Sequence, residues 1–460
     1  MKTNLILDTD SYKSSHFLQY PSGTDYMCSY LESRGGRFPN TIFFGLQYLL
    51  KEYLSKPITL EDVNEANNFF TKHGLPFPLN EWTYIAKDLS GKLPIKIRAV
   101  PEGTLVPTGN VLMTVESTDP KVFFITSWVE TLLMRLWYPI TVATQSFMLK
   151  KLILKFLEET SDDPMQEISF KLHDFGSRGV SSREQAMLGG ASHLVNFLGS
   201  DTVVGIQMAN EYYNSEMAGY SIPASEHSTI TSWGKENELL AYENMIKKFS
   251  KPGSLYACVS DSYDIFNACE NLWGTSLKER LIETGGTLVI RPDSGDPVTV
   301  LTKVFEILAS KFGTKLNSKG YKVLNAVRVI QGDGVEEDSI QKILSTLKER
   351  GFSASNIAFG MGGALLQKLD RDTQKFAYKC SAIRIDGKER AVAKNPITDL
   401  GKKSKSGILE LVTRKAKIET IRREELETED EKLLHTVFEN GEILEDTTLE
   451  SIRKTANSNL

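Results

Sequence analysis

Four short apolar runs in this chain each end in a loop of carboxylates, glycines or an arginine. VSD at 259–261 supplies Asp261, with Asp264 close behind; IRPDSGD at 290–296 supplies Arg291 and Asp293. QGDG at 331–334 supplies Gly332 and Asp333, and FGMGG at 359–363 supplies Gly360, Gly362 and Gly363. Glycines directly before a helix let backbone N–H groups approach an anion, which the helix N-terminus also favours. Asp and Gly equally cap helices and make turns. Two further segments are dense in reactive types. KLHDFGSRGVSSREQA (171–186) gathers His173, Asp174, Phe175 and Arg178 around two glycines, and SIPASEHSTITSWG (221–234) sets His227 in a polar stretch. Asp201, in LGSDTVVG, reads as a site residue or as a cap.

Several chemistries are excluded by missing spacings. GxxxxGK[ST] is absent, which argues against a Walker-type ATPase. GxSxG is absent and no serine sits on a nucleophile elbow, so a Ser/His/Asp hydrolase ranks low. Six scattered histidines without HExxH argue against a zinc enzyme. Cys28, Cys258, Cys269 and Cys380 show no CxxC pairing and read as free thiols in a reducing compartment.

The elements that must position these residues fall into two patterns. Over about 140–375, short β-rich runs alternate with helical stretches such as VTVLTKVFEILASKF, at the spacing of βα units in a parallel sheet or barrel. The continuous apolar character of LVI and VRVI suits strands buried on both faces. Residues 1–140 instead mix helices near 46–54 and 60–72 with β-type runs at LPIKIRAVPEG and GNVLMTVES. Val122–Trp137 reads as one long, largely buried helix. Beyond 380 the sequence predicts a hairpin turning at Asp386–Gly387, further strands over 408–440, and a polar tail at SIRKTANSNL. The expected division is a mixed α+β domain from 1–140 plus 385–460, and a barrel-like α/β domain over 141–384.

The composition fits a soluble globular protein: 460 residues, 40% hydrophobic and 25% charged. With 54 basic against 59 acidic residues the net charge is −5, a poor fit to a nucleic-acid or anionic-membrane binder. A small anionic partner would need positive charge gathered locally. The N-terminal MKTNLILDTDSYK has too short an apolar run for a signal peptide, and no stretch suits a membrane span. A cytoplasmic location is expected.

Taken together, these segments closely resemble the nicotinamide phosphoribosyltransferase family, type II phosphoribosyltransferases of NAD salvage. The resemblance is carried by DTDSYKSSHFLQYP (8–21), FFGLQYLL (43–50), WYPITVAT (137–144), KLHDFGSRGVSS (171–182) and HLVNFLGSDTV (193–203). It continues through PASEHSTITSWGKE (223–236), VSDSYDIFNACENLWG (259–274), IRPDSGDP (290–297), VIQGDGV (329–335), IAFGMGGALLQKLDRD (357–372) and LLHTVFENG (433–441). It implies an irregular α/β barrel beside a mixed domain, in a homodimer with active sites at the subunit interface. The implied reaction joins nicotinamide to phosphoribosyl pyrophosphate, with Mg²⁺, and releases nicotinamide mononucleotide and pyrophosphate.

By the same resemblance, Phe175 and Tyr12 of the partner subunit sandwich the pyridine ring, and Asp201 accepts a hydrogen bond from the carboxamide. A carboxylate there repels nicotinate. Arg178 and Arg291 lie near the pyridine and pyrophosphate, and Asp293 and Asp333 bind ribose hydroxyls. Gly332, Gly362 and Gly363 allow close backbone approach, Gly363 beside the nucleotide phosphate. Arg34, Arg371, Lys379, Lys394 and Lys402 are the implied phosphate ligands. His227 aligns with a histidine phosphorylated by ATP in an optional coupled hydrolysis, and Asp261 is its implied orienting partner.

The chain departs from the family pattern in three places. SYLESR (29–34) passes through GGRFPN to TIFFG without the longer basic insertion of vertebrate members. Ser177 stands where an aromatic is common, and the phosphate loop reads GMGGA. Two rival readings remain: a nicotinate phosphoribosyltransferase, which Asp201 opposes, and a non-catalytic protein on the same scaffold, which the intact set of Phe175, Arg178, Asp201, His227, Arg291 and Asp293 opposes.

Overall fold

The computed structural model describes residues 4–398 and 403–460. Two compact units are present: Met1–Thr144 with Asn210–Ser215 and Leu369–Leu460, and Gln145–Ala209 with Glu216–Lys368. The sequence reading sets its junctions at 140 and 385. In the structure the strand Phe376–Ile385 pairs antiparallel with Thr24–Ser33 along nearly its whole length, and so belongs to the first unit.

The second unit is built on six parallel strands, in the order Gly199–Ser200, Leu172–Asp174, Ile357–Met361, Val327–Gln331, Thr287–Arg291 and Leu255–Val259. The sheet curls into a half-barrel, which is the irregular α/β barrel expected. Its strands are short and apolar because both faces are covered; Leu288, Val289 and Ile290 are all buried. The crossover helices start where the sequence places strong caps. Asp296 accepts from the Thr299 N–H and Pro297 opens the helix Pro297–Phe312. Glu336 and Ser339 form a reciprocal capping box at Glu337–Glu349. These alternating strands and helices bring every strand-end loop to one rim.

The first unit holds a seven-stranded antiparallel sheet from both chain ends, in the order Lys388–Ala391, Phe376–Ile385, Thr24–Ser33, Val111–Ser117, Ile95–Ala99, His435–Glu439 and Glu442–Ile443. A three-stranded sheet around Leu409–Arg414 accompanies it, with Arg98 bidentate on the buried Glu410 carboxylate. The hairpin turns at Asp386–Gly387, both residues at positive φ (48° and 75°), as a two-residue primed turn requires.

Two sequence expectations are corrected here. Val122–Trp137 is not one helix but the short segments Ile125–Trp128 and Glu130–Met134 between a 3₁₀ turn and the long helix Trp137–Thr160. Around Arg135 the backbone closes i→i−3 bonds (Arg135 to Leu132, Leu136 to Leu133, Tyr138 to Arg135), and Arg135 pairs with Asp8. The apolar residues are buried as expected, but polar anchors on different sides break the rod. The C-terminal tail is an amphipathic helix, Leu449–Asn457, capped by Thr448 and burying Leu449, Ile452 and Ala456. Among the described residues no helix is long and apolar enough to cross a membrane.

Candidate active site

The half-barrel encloses a cavity of about 560 Å³. Ala257, Val289 and Ile330, from three adjacent strands, form an apolar cluster against which Phe175, Ile222 and Ala358 pack. Phe175 follows the strand Leu172–Asp174, and its N–H donates to the Met361 carbonyl at 3.0 Å. The ring occupies the space that a side chain at buried Gly360 would need; a Cβ there would overlap the ring, with Cζ at 2.7 Å. Glycine at 360 is therefore a condition for the aromatic at 175.

Asp201 and Arg291 line the same cavity. The Asp201 N–H donates to the Asp174 carbonyl at 2.9 Å, and its carboxylate accepts from the Ser221 hydroxyl at 2.5 Å. Asp174 is fully buried; its Oδ1 accepts the Gly176 N–H at 2.7 Å, fixing the turn that presents Phe175. Burial pushes the Asp174 carboxyl up to about 6. The apolar cluster beside Phe175, with the Asp201 carboxylate at the cavity wall, suits an aromatic ring bearing an N–H donor.

On the rim, His227 opens the short helix His227–Thr231. Its Nε2 lies 3.4 Å from Asp293 Oδ2 and 3.8 Å from Asp261 Oδ1, and its Nδ1 lies 3.3 Å from the Ser262 hydroxyl. Asp293 is thus nearer the imidazole than Asp261. Asp261, whose side chain is 3% exposed, accepts through Oδ2 from the Asp293 N–H (3.1 Å) and the Ser294 hydroxyl (2.5 Å). Its Oδ1 and the Nε of Arg291 are buried with no hydrogen-bond partner among the described residues. Arg291 Nη2 stands 3.7 Å from Asp293. A side chain at Gly332 would meet Asp293, Phe175 and Arg291, so this glycine sits at the centre of the group.

Gly362 lies against the Phe175 carbonyl, and the loop of Arg178 runs beside Gly363, to which a Cβ on Gly179 would come within 3.5 Å. Arg178 and Asp333 are exposed. All the implied residues of the second unit therefore belong to one strand-end rim.

The remaining ones gather in the first unit. Tyr12, Arg34, Arg371, Lys379 and Lys394 line a cavity of about 1000 Å³, together with Glu130 and Lys375. Lys402 lies outside the described residues. Burial pulls the Lys379 ammonium down, and Arg34, Lys13 and Lys394 add to this against the pull of Glu130. The Lys13 ammonium, 2% exposed, pairs with Glu130 at 2.6 Å. Among the described residues no group of three or more His, Cys, Asp and Glu side chains forms a metal site.

Sequence reasoning missed the groups that act through others. Ser221 holds Asp201, Ser262 and Ser294 flank the His227 cluster, and Gly360 had been only one of three loop glycines. The local sequence carries no signal for the serines. Gly360 could have been found from its place inside a strand, where glycine marks a close approach.

Comparison with known proteins gives the family and the fold. Residues 4–97 match the family described as nicotinamide phosphoribosyltransferase, N-terminal domain, and residues 170–442 match the nicotinate phosphoribosyltransferase family. A nicotinamide phosphoribosyltransferase of Xanthomonas campestris pv. campestris is 54% identical, covering 99% of this chain and 98% of the relative. Another, of Acinetobacter baylyi, is 32% identical over 98% and 97% of the two chains. Among solved structures, human nicotinic acid phosphoribosyltransferase shares the fold with a TM-score of 0.58 at 18% identity, covering 98% of this chain and 93% of that one. Nicotinate-nucleotide pyrophosphorylase from Pyrococcus furiosus shares it with a TM-score of 0.65 at 14% identity, over 100% and 96%. With 54% identity over 99% of this chain and both family matches, the chain belongs to the nicotinamide phosphoribosyltransferase family.

Proposed function

We propose that the chain transfers the phosphoribosyl group of phosphoribosyl pyrophosphate to nicotinamide, giving nicotinamide mononucleotide and pyrophosphate. The observation that carries this reading is the Asp201 carboxylate, held by Ser221 at the wall of the cavity that contains Phe175. A carboxamide donates to that carboxylate, whereas a second carboxylate would meet like charge. Phe175 supplies one stacking face and orients the ring nitrogen toward the rim.

There the bond from ribose C1 to pyrophosphate breaks as the ring nitrogen bonds to C1. Positive charge grows on the sugar and negative charge on the leaving group. Asp293 and Asp333 would accept from ribose hydroxyls, and Arg178 and Arg291 would meet the pyrophosphate. The buried, unpartnered Arg291 Nε is a donor waiting for such an acceptor. Mg²⁺ usually takes one or two carboxylates plus substrate phosphates, and the unpartnered Asp261 Oδ1 beside Asp293 fits that donor set. When bound, the ion would neutralise charge on the pyrophosphate.

His227 is the proposed acceptor of the ATP γ-phosphate. With its proton on Nε2 facing Asp293 and Asp261, the imidazole has its nucleophilic lone pair on Nδ1, which the Ser262 hydroxyl at 3.3 Å must release; attack there forms a P–N bond as the bond from the γ-phosphate to ADP breaks. The basic cavity of the first unit, with exposed Tyr12, is proposed to complete the site of a second copy in a homodimer. The four free cysteines are consistent with a reducing, cytoplasmic setting.

The deciding experiment follows pyrophosphate release with Mg²⁺, comparing nicotinamide with nicotinic acid, with and without ATP. Preferential turnover of nicotinamide is expected. Faster turnover of the acid overturns the reading.

A further inference from the structure

We infer that Glu32 is a positioning residue for the polyphosphate substrate: it ties Arg34 to Lys405 and so adds Lys405 to the cations that receive the phosphates. This rests on the reading of the first unit's basic cavity as a phosphate site.

Glu32 lies on Thr24–Ser33, an interior strand of the seven-stranded sheet, with its carboxylate 3% exposed. Oε1 accepts from Arg34 Nε at 2.8 Å and Oε2 from Lys405 Nζ at 2.6 Å. Tyr30, two residues earlier and so on the same face of the strand, accepts from the Lys405 N–H at 2.9 Å. Tyr30 also pairs across the sheet with Lys379, which places Lys379 on that face too.

Among the described residues the charges do not balance. One buried carboxylate serves two cations, and Arg34 Nη2 is buried with no hydrogen-bond partner among the described residues. A carboxylate needed only to survive burial would be satisfied by one cation. The surplus positive charge and idle donor call for an anion, and Arg34 lines the cavity with Lys379, Lys394 and Arg371.

The clamp also fixes a neighbouring segment. Ser404 accepts from the Lys394 N–H at 2.8 Å and donates its own N–H to the Lys394 carbonyl at 2.9 Å. Lys405 follows directly. Glu32 therefore anchors, through Lys405, the stretch that sets Lys394 in place. In sequence Glu32 is merely one acid within SYLESR.

The test uses the full chain and varies the two substrates separately. In Glu32→Gln and Lys405→Met the KM for phosphoribosyl pyrophosphate should rise by about tenfold, the worth of one charge-assisted phosphate contact. The KM for nicotinamide should stay within about twofold in both. Glu32→Asp, which keeps the charge, should recover much of the loss. Lys405→Met carries the test if Glu32→Gln folds poorly, because Lys405 is partly exposed. An unchanged KM for phosphoribosyl pyrophosphate in Lys405→Met, or equal rises for both substrates, overturns the inference. Arg34→Ala separates the two levels. If it leaves that KM unchanged, the basic cavity is not the phosphate site; if it raises the KM while Glu32→Gln and Lys405→Met do not, the positioning role alone fails.

Discussion

Replacing Gly360 by alanine would drive a methyl group into the ring of Phe175. The nearest ring atoms would overlap it, and Cζ would lie at 2.7 Å. Carbon atoms rest at about 3.5–4.0 Å, so the ring must retreat by about 1 Å or more. The backbone has little room to give. Gly360 is paired in register with His173, and the Phe175 N–H is bonded to the next residue of the same strand, Met361. The ring moves instead, away from its place beside Gly332 and the rim. A displacement of about 1 Å costs on the order of a hundredfold when the reacting atoms depend on it. The kcat/KM for nicotinamide should fall by about that factor, or about 2.7 kcal/mol of transition-state stabilisation. Pyrophosphate release measured against nicotinamide at saturating phosphoribosyl pyrophosphate reads the loss. Thermal melting should show only the overpacking cost of about 1–3 kcal/mol. Adding Phe175→Leu should restore stability without restoring turnover. If folded Gly360→Ala keeps kcat/KM within about threefold of the parent, Phe175 is not the surface that orients the ring.

Asp201→Asn removes the charge that opposes a carboxylate substrate, so the preference for nicotinamide over nicotinic acid should fall by about tenfold or more; an unchanged ratio refutes Asp201 as the reading group. His227→Ala should abolish stimulation by ATP while leaving ATP-independent synthesis, and persistent coupling of ATP hydrolysis to synthesis refutes the phosphohistidine role. Burial raises the Asp174 carboxyl from its ordinary 3.8 to about 6 in the folded state. Between those values the folded protein holds more protons than the unfolded chain, so stability falls as pH rises from about 4 to 6, by up to about 3 kcal/mol. Asp174→Asn keeps an oxygen acceptor for Gly176 and removes the titration. Its melting temperature should exceed the parent's at pH 8 and lose that advantage near pH 4; parallel melting curves would refute the buried charge.

What the sequence made legible follows from the range of the physics involved. The barrel strands stood out because burial on both faces enforces continuous apolar runs, and the loops after them because turns and caps use few residue types. The fractured course of 122–137 was hidden: its breaks depend on distant partners, such as Asp8 for Arg135, that no window of sequence contains. The terminal helix was hidden because SIRKTANSNL begins after two of the signals that define it, Thr448 and Leu449. Site residues were named one by one through resemblance, yet their sorting into an apolar cavity with its rim in one unit and a basic cavity in the other is tertiary information. Glu32 shows the same limit. Its type is visible in sequence, but its burial between two cations is not.

That sorting explains how a chain of net charge −5 can handle a polyanion. At physiological salt an exposed charge is felt over about 8 Å, so the sum over the molecule says little about any one cavity. In the basic cavity the local count is inverted: Arg34, Arg135, Arg371, Lys375, Lys379 and Lys394 line it against Asp10, Glu130 and Asp372. Burial, with Arg34, Lys13 and Lys394 nearby, is what pulls Lys379 down, and a bound phosphate would offset the repulsion among these cations. The carboxylates already present do part of that work in its absence, Glu130 for Lys13 and Glu32 for Arg34 and Lys405. A cluster without them would spread or deprotonate; a cluster with full compensation would have no use for a ligand. If that cavity is the proposed phosphate site, the surplus of cations over buried acids sets its affinity, and total charge is free to remain acidic.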